Sequence, residues 1–216
     1  MSHRTFGGPL LRIFTLRLKR AFDILFSATL LVLLAPGLVL LAFVVAVTSS
    51  GGAFFRQVRV GRNGRMFQLI KFRSMRPGAE AAGQITIGGA DPRITSLGRF
   101  LRRSKLDELP QLWNVLIGDM SIVGPRPEVP YYVALYSPEQ RRVLSVRPGL
   151  TGPASLHYID ENELLARSDD PERLYRDEIL PAKLVRDLAY VDHHDLGVDL
   201  RIIGTTIGRV FLRRAK

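Results

Sequence analysis

The chain has no cysteine among its 216 residues, so disulfides and thiolate metal sites are excluded. Acidic residues are scarce: 20 Asp and Glu stand against 31 Lys and Arg, a formal charge of +11. Such a surplus calls for an anionic partner, whether nucleic acid, anionic lipid or a phosphorylated substrate. No recognised nucleic-acid module is present, and no internal repeat is visible. Charge of either sign is missing from Ile24 to Val47, an apolar run rich in Leu and Val. That run makes lipid headgroups the first candidate partner, because juxtamembrane Lys and Arg gain roughly 1 kcal/mol each near an anionic leaflet.

A bilayer span needs about 20 apolar residues, and this run reaches that length. It is too long for the core of a signal peptide, and no small-residue cleavage site follows it. Ala35-Pro36-Gly37 lies near its middle, where proline and glycine predict a kink or break. Both flanks are basic, with Arg12, Arg17, Lys19 and Arg20 before the run and Arg56, Arg59, Arg62 and Arg65 after it. A simple span concentrates Lys and Arg on the cytoplasmic side alone. The economical reading is a re-entrant helix–break–helix, each half of about 12 residues reaching roughly 18 Å into the bilayer. A kinked, fully spanning helix is the alternative. The chain divides accordingly into an N-terminal tail and interfacial helix (1–23), a re-entrant membrane segment (24–47) and a cytoplasmic domain (48–216).

Residues 1–8 read as a disordered tail, and Leu10 to Ala21 carries the apolar and basic alternation of a helix lying on a membrane surface. Phe54 to Val60 and Arg65 to Phe72 flank Asn63-Gly64, a strong hairpin signal. Pro77 to Pro92 reads as a loop able to move. Ser96 to Arg103 predicts a short amphipathic helix with Leu97, Phe100 and Leu101 on one side. Ser121 to Val123 predicts a strand, and Arg147 to Pro153 a stiff turn-rich loop. Short helices are expected over 138–144, 171–179 and 181–191, with Leu196 to Leu212 packing on the core or the membrane. The fold class is α+β: the membrane helix, then a small domain with one hairpin and several short amphipathic helices at the membrane surface.

The most informative stretch is Lys105-Leu106-Asp107-Glu108-Leu109-Pro110-Gln111. Proline is tolerated only in the first turn of a helix, so a helix containing Pro110 begins near Leu106 or Asp107. Asp107 and Glu108 then lie beside free backbone N–H groups, a place that holds a carboxylate ionised and also receives phosphate. Two readings stay open from this heptapeptide: Asp107 is a helix cap, or the pair is a site.

Three stretches together resemble the bacterial sugar transferases, the monotopic phosphoglycosyl transferases. They are Lys71 to Met75, Ser104 to Val115 and Gly118 to Pro127, joined by Arg147 to Gly152. The resemblance runs from about Lys19 to the C-terminus and matches the minimal form of the family, with no additional N-terminal membrane domain expected. It implies transfer of a sugar 1-phosphate from a UDP-sugar to a polyprenyl phosphate, with release of UMP, at the cytoplasmic face of the bacterial inner membrane. It further implies Mg²⁺ and a covalent phosphosugar intermediate on Asp107, with Glu108 as its partner; either carboxylate could carry the metal. Lys71, Arg102 and Arg126 match basic positions around the phosphates, and Ala35-Pro36 match the membrane break. Anionic lipid is a further partner, nucleic acid is not, and the resemblance leaves room for a homo-oligomer.

Two departures stand out. Many members carry serine before the break proline, where this chain has Ala35. Many carry a Trp and a later Asn-Gly-Arg-Asn stretch where this chain reads Pro153 to Asn162, a natural place for sugar recognition. A second enzyme class, a glycosyltransferase of the same lipid-linked pathway, would release UDP instead of UMP; a basic membrane scaffold would release neither. His193-His194 read as a solvated pair, Asp160, Glu161 and Glu163 as a polar helix start or substrate contacts, and Trp113 as core.

Overall fold

The computed structural model describes residues 9–212; the tail expected over 1–8 lies outside the described residues. Helix α1 (Pro9–Thr48) runs without interruption through the expected interfacial helix, through Ala35 and Pro36, and on to Thr48. One continuous helix therefore replaces the expected pair of half-helices. A proline removes a single backbone donor, and the surrounding apolar residues supply the remaining helical bonds. Between Leu16 and Thr48 this helix is long and apolar enough to cross a membrane. Its exposed side chains include Val32, Leu33, Val39, Leu40 and Phe43.

Both halves of α1 pack on the same folded body. Phe22, Phe26, Leu30 and Leu31 meet the cluster of Leu112, Val115 and Met120. Leu38, Leu41, Ala42 and Val45 meet Phe72 and Leu101. Polar ties fix the N-terminal half. Asp23, fully buried, accepts from the Ile122 N–H at 3.0 Å and the Ser121 hydroxyl at 3.1 Å. Lys19 donates to the Val123 carbonyl and pairs with buried Asp199.

The hairpin forms as expected. Strands β1 (Phe54–Val60) and β2 (Met66–Phe72) pair antiparallel from Phe54↔Phe72 to Val60↔Met66. Asn63 (φ 56°) and Gly64 (φ 77°) turn the chain in the left-handed region, which explains this dipeptide here. Residues 77–92 are a loop with one 3₁₀ turn, held by Arg93. The Arg93 guanidinium donates to the carbonyls of Ala79, Gly83 and Ile85 and pairs with Asp91 at 2.7 Å. Asp91 is thereby held at about 2, chiefly by its hydrogen bond from Arg93.

Helix α2 (Ser96–Arg103) starts on the Thr95 cap, whose hydroxyl accepts from the Gly98 N–H. Leu101 is buried, but Phe100 is exposed, away from the face it was expected to share. Helix α3 (Gln111–Ile117) stops at left-handed Gly118. It buries Gln111, Leu112, Asn114 and Val115 and leaves Trp113 half exposed, so Trp113 is not a core residue. In a seven-residue helix one step in sequence turns a side chain by about 100°, which carries Trp113 off the buried stripe.

Strand β3 (Ser121–Val123) pairs in parallel with β4 (Gly149–Thr151), a strand inside the segment expected to be only a turn-rich loop. The remaining helices are α4 (Pro130–Ala134), α5 (Pro153–His157), α6 (Glu161–Ala166), α7 (Pro171–Leu174), α8 (Leu180–His193) and α9 (Leu196–Leu212). Residues 138–144 fall in a 3₁₀ segment (Gln140–Ser145) and its lead-in, not an α-helix. Between α7 and α8 a π-helical turn (Tyr175–Ile179) joins the two into one rod. Pro181 lies just after it and has no N–H to close an α-helical bond.

Candidate active site

The Asp-Glu pair sits in a 3₁₀ turn (Leu106–Glu108), not in the first turn of an α-helix. Glu108 and Leu109 donate to carbonyls three residues back, and α-helical bonding begins only at Gln111 because Pro110 interrupts it. Lys105 enters the turn in the left-handed region (φ 58°), an uncommon conformation for a long side chain that reverses the chain after α2. The result is a buried Asp107 and a mostly buried Glu108 side by side, facing a cavity of about 260 Å³.

The two carboxylates differ in their surroundings. Glu108 accepts from Arg126 at 2.6 Å and from Lys71 at 3.2 Å, both through Oε1. Burial alone would raise its pKa, but these two cations hold it well below the ordinary carboxylate range. Burial lowers Lys71 to about 8, partly offset by Glu108. Asp107 Oδ1 is buried with no hydrogen-bond partner. Its pKa is raised, first by burial and then by the charge of Glu108, while Lys71, Arg102 and Lys105 pull it back.

The site residues expected from sequence therefore converge: Asp107, Glu108, Lys71, Arg102 and Arg126 all line this cavity. Arg102 donates to the Thr86 hydroxyl at 2.9 Å, tying α2 to the 77–92 loop. Ala35 and Pro36 lie on α1 and are not part of it. Behind Arg126 stands a second charged group that local spacing could not indicate. Arg59 donates to the Pro127 carbonyl at 2.9 Å and faces Glu128 at 3.5 Å. Glu128 accepts from the Tyr175 hydroxyl at 2.6 Å, and Lys183 lies 3.7 Å away. These contacts fix the chain after Arg126, and the Gly149 N–H, donating to the Pro125 carbonyl at 2.8 Å, fixes it before. Glu161, one of the polar residues singled out in sequence, also lines the cavity and pairs with Lys183 at 2.9 Å.

Among the described residues no group of three His or carboxylate side chains gathers as a metal cage, and His194 stacks on Tyr190. The donor set suits a hard divalent cation that brings phosphate oxygens with it. Asp107 has an unpartnered oxygen, Glu108 is adjacent, and Mg²⁺ takes one or two carboxylates plus phosphate.

The cavity gathers cations around the Asp107 and Glu108 carboxylates, and the same chain carries a helix long and apolar enough to cross a membrane. The description "Bacterial sugar transferase" matches residues 14–213, and the chain belongs to that enzyme family. It is 41% identical over 207 residues to the undecaprenyl-phosphate glucose phosphotransferase of Komagataeibacter xylinus, covering 91% of this chain and 36% of that protein. To the UDP-glucose:undecaprenyl-phosphate glucose-1-phosphate transferase of Caulobacter vibrioides it is 36% identical over 204 residues, 93% of this chain and 72% of the relative. To the exopolysaccharide production protein PSS of Rhizobium leguminosarum bv. phaseoli it is 39% identical over 197 residues, 88% of this chain and 93% of the relative. The chain thus spans little more than a third of the Komagataeibacter protein and nearly all of the Rhizobium one.

Proposed function

We propose that the protein transfers a sugar 1-phosphate from a UDP-sugar to a polyprenyl phosphate, releasing UMP, as an early membrane step of exopolysaccharide synthesis. The relatives' names give the donor and acceptor classes. The observation that carries the chemistry is the buried, unpartnered Asp107 oxygen beside a Glu108 already committed to two cations.

Donor diphosphate and acceptor phosphate are both anionic, and direct attack of one on the other meets charge repulsion. A carboxylate nucleophile divides the transfer into two displacements at one phosphorus. An Asp107 oxygen bonds to the sugar-bearing phosphorus as its bond to the UMP oxygen breaks, and the electron pair leaves with UMP. An oxygen of the polyprenyl phosphate then attacks the same phosphorus and frees Asp107. Burial makes the Asp107 carboxylate more basic than usual, which favours it as a nucleophile once ionised. Arg126, Lys71 and Arg102 orient the phosphates and offset their charge. Mg²⁺, held through Asp107 and Glu108, would neutralise charge on the phosphate oxygens.

We further propose monotopic, re-entrant attachment at the cytoplasmic face of the inner membrane, with α1 entering and leaving on one side while remaining helical through Pro36. The support is that residues near both ends of the apolar segment, Phe22 and Val45, are anchored to one body. Donor-only incubation followed by intact-mass measurement tests the reaction. A phosphosugar adduct on the wild type that is absent from Asp107→Asn is expected. An adduct that persists in the variant would move the nucleophile elsewhere, and release of UDP in place of UMP would favour the glycosyltransferase reading.

A further inference from the structure

The proposed reaction uses Lys71, Arg102 and Arg126 and gives a further stretch of the cavity wall no role. That wall carries Glu128, Tyr158, Glu161, Asn162, Tyr175 and Lys183. Its carboxylates repel phosphate, so a diphosphate lies against the arginines and the wall faces whatever else the donor carries. Carboxylate, phenol and amide groups match a ring bearing several hydroxyls, since ionised acceptors make the stronger hydrogen bonds to such donors.

Within the wall the two carboxylates are not equivalent. Glu128 is consumed by Tyr175 and Arg59 and is 9% exposed. Glu161 heads α6, has a side chain 24% exposed, and is held through Oε2 by Lys183. Lys183 is itself buried, donates to the Tyr175 hydroxyl at 3.2 Å and lies over the Tyr175 ring at 5.0 Å. A lysine fixed this way has little freedom left, and it fixes Glu161 in turn. Glu161 also contributes to the negative field that, after Glu108, stabilises the Arg126 charge. Arg126 touches Glu108 at 2.6 Å, and Glu161, in the lining of the same cavity, is tied to Lys183 at 2.9 Å. In a nucleotide sugar the ring is bonded through one oxygen to the phosphorus under attack, so its hydroxyls stay within the cavity that holds that phosphorus, whose lining includes the partly exposed Glu161.

We infer that Glu161, oriented by Lys183, is a specificity-determining residue that accepts hydrogen bonds from the sugar-ring hydroxyls of the donor. This rests on the transferase reading above and names what that reading leaves open, the part of the site that distinguishes one sugar from another. Lys183 is a positioning residue for it.

The test compares wild type, Glu161→Gln, Glu161→Ala and Lys183→Met as full chains in lipid nanodiscs with polyprenyl phosphate. A panel of UDP-hexoses and UDP-N-acetylhexosamines is offered, and UMP release gives kcat/KM for each. Inhibition by UMP, which lacks the sugar, is measured alongside. The expected result is a loss of about 10- to 100-fold for the preferred donor. The ratio between preferred and second-best donor should fall towards one, while the UMP inhibition constant stays within about twofold. Lys183→Met should move the donor ratio in the same direction. Glu161→Gln keeps the side-chain volume, so a folded variant is at hand should the alanine form unfold. Equal fractional loss on every donor, or UMP affinity falling in parallel, would make the Glu161–Lys183 pair structural and overturn the inference. A wild type that binds UMP yet releases none from any donor would instead overturn the transferase reading, and the inference with it.

Discussion

Arg126 donates to Oε1 of Glu108 at 2.6 Å from a loop stiffened by proline on both sides. Lys71 reaches the same oxygen from β2. Arg126→Ala should lower the rate of UMP release at least tenfold, about 1.4 kcal/mol of transition-state stabilisation. Arg126→Lys should fall between, because an ammonium supplies the charge without the planar fork. Arg102→Ala should cost a similar factor. Initial rates with a saturating acceptor provide the measurement, and undiminished turnover in both alanine variants would reduce these residues to surface charges.

A second prediction concerns the approach of β3 to β4. A methyl group on Gly124 would stand 2.5 Å from the Arg147 carbonyl oxygen and 2.9 Å from the Gly149 nitrogen, both backbone atoms. Neither can swing aside as a side chain would. Because Gly124 opens the segment that carries Arg126, Gly124→Ala should lose both thermal stability and UMP release. Gly204→Ala, inside α9 with nothing within 4 Å, should leave UMP release unchanged and should hold or raise the melting temperature. Equal melting temperatures for the two variants would contradict the close approach.

Asp187 gives a pH dependence with a definite sign. Burial raises its pKa to about 7, against the pull of Lys183 and a hydrogen bond from the Ala154 N–H. The folded state therefore holds this proton more tightly than the unfolded state. Its contribution to stability is complete below about pH 4 and is lost as pH rises towards and through 7. At about 1.4 kcal/mol per tenfold change in proton affinity, the loss amounts to a few kcal/mol. Asp187→Asn imitates the protonated form. Its melting temperature should match wild type near pH 4 and exceed it by several degrees at pH 8. A variant no more stable than wild type at pH 8 would show that the buried carboxylate is not a liability.

For topology, reporters at both termini should lie in the cytoplasm. Ser2→Cys gives a labelling site free of interference, since the chain has no cysteine. Replacing Ala35-Pro36-Gly37 with three leucines removes a proline that costs roughly 3 kcal/mol in a helix interior. Partial conversion to a spanning form is expected, because basic residues on both flanks resist translocation. Periplasmic labelling of Ser2→Cys with the native Ala35-Pro36-Gly37 would mean a true span.

How much of this was legible in sequence depended on whether the signal was local. The hairpin announced itself through Asn63-Gly64, because turn chemistry is set by a few adjacent residues. Pro110 marked a helix boundary beside Asp107-Glu108, but the turn that carries them is 3₁₀ and not the expected first turn of an α-helix. Strand β4 was missed because three residues between glycines and prolines have no readable period. The apolar run was legible as a helix, but its continuity across Pro36 was not, since the composition of a run does not say whether one lost hydrogen bond ends it. Arg59, Glu128, Tyr175 and Lys183 were invisible as a group. They come from a strand, a loop, a π-turn and a helix, and only the closed fold brings Arg59 and Lys183 within reach of Glu128.

Arg93 has a consequence for how the cavity could be retuned. Its guanidinium holds the loop over 77–92 by main-chain carbonyl groups, which every amino acid supplies alike. The course of that wall is therefore set in large part by its backbone, with the Thr86 hydroxyl adding one side-chain tie to Arg102, and less by the side chains it presents at Gln84 and Ile85. Substitutions at those positions can alter what the cavity accepts while its outline persists. Replacement of Arg93 alone should loosen the outline and leave the other lining side chains chemically unchanged. Shape and chemical character are in this way written into different residues, and each is free to vary without the other.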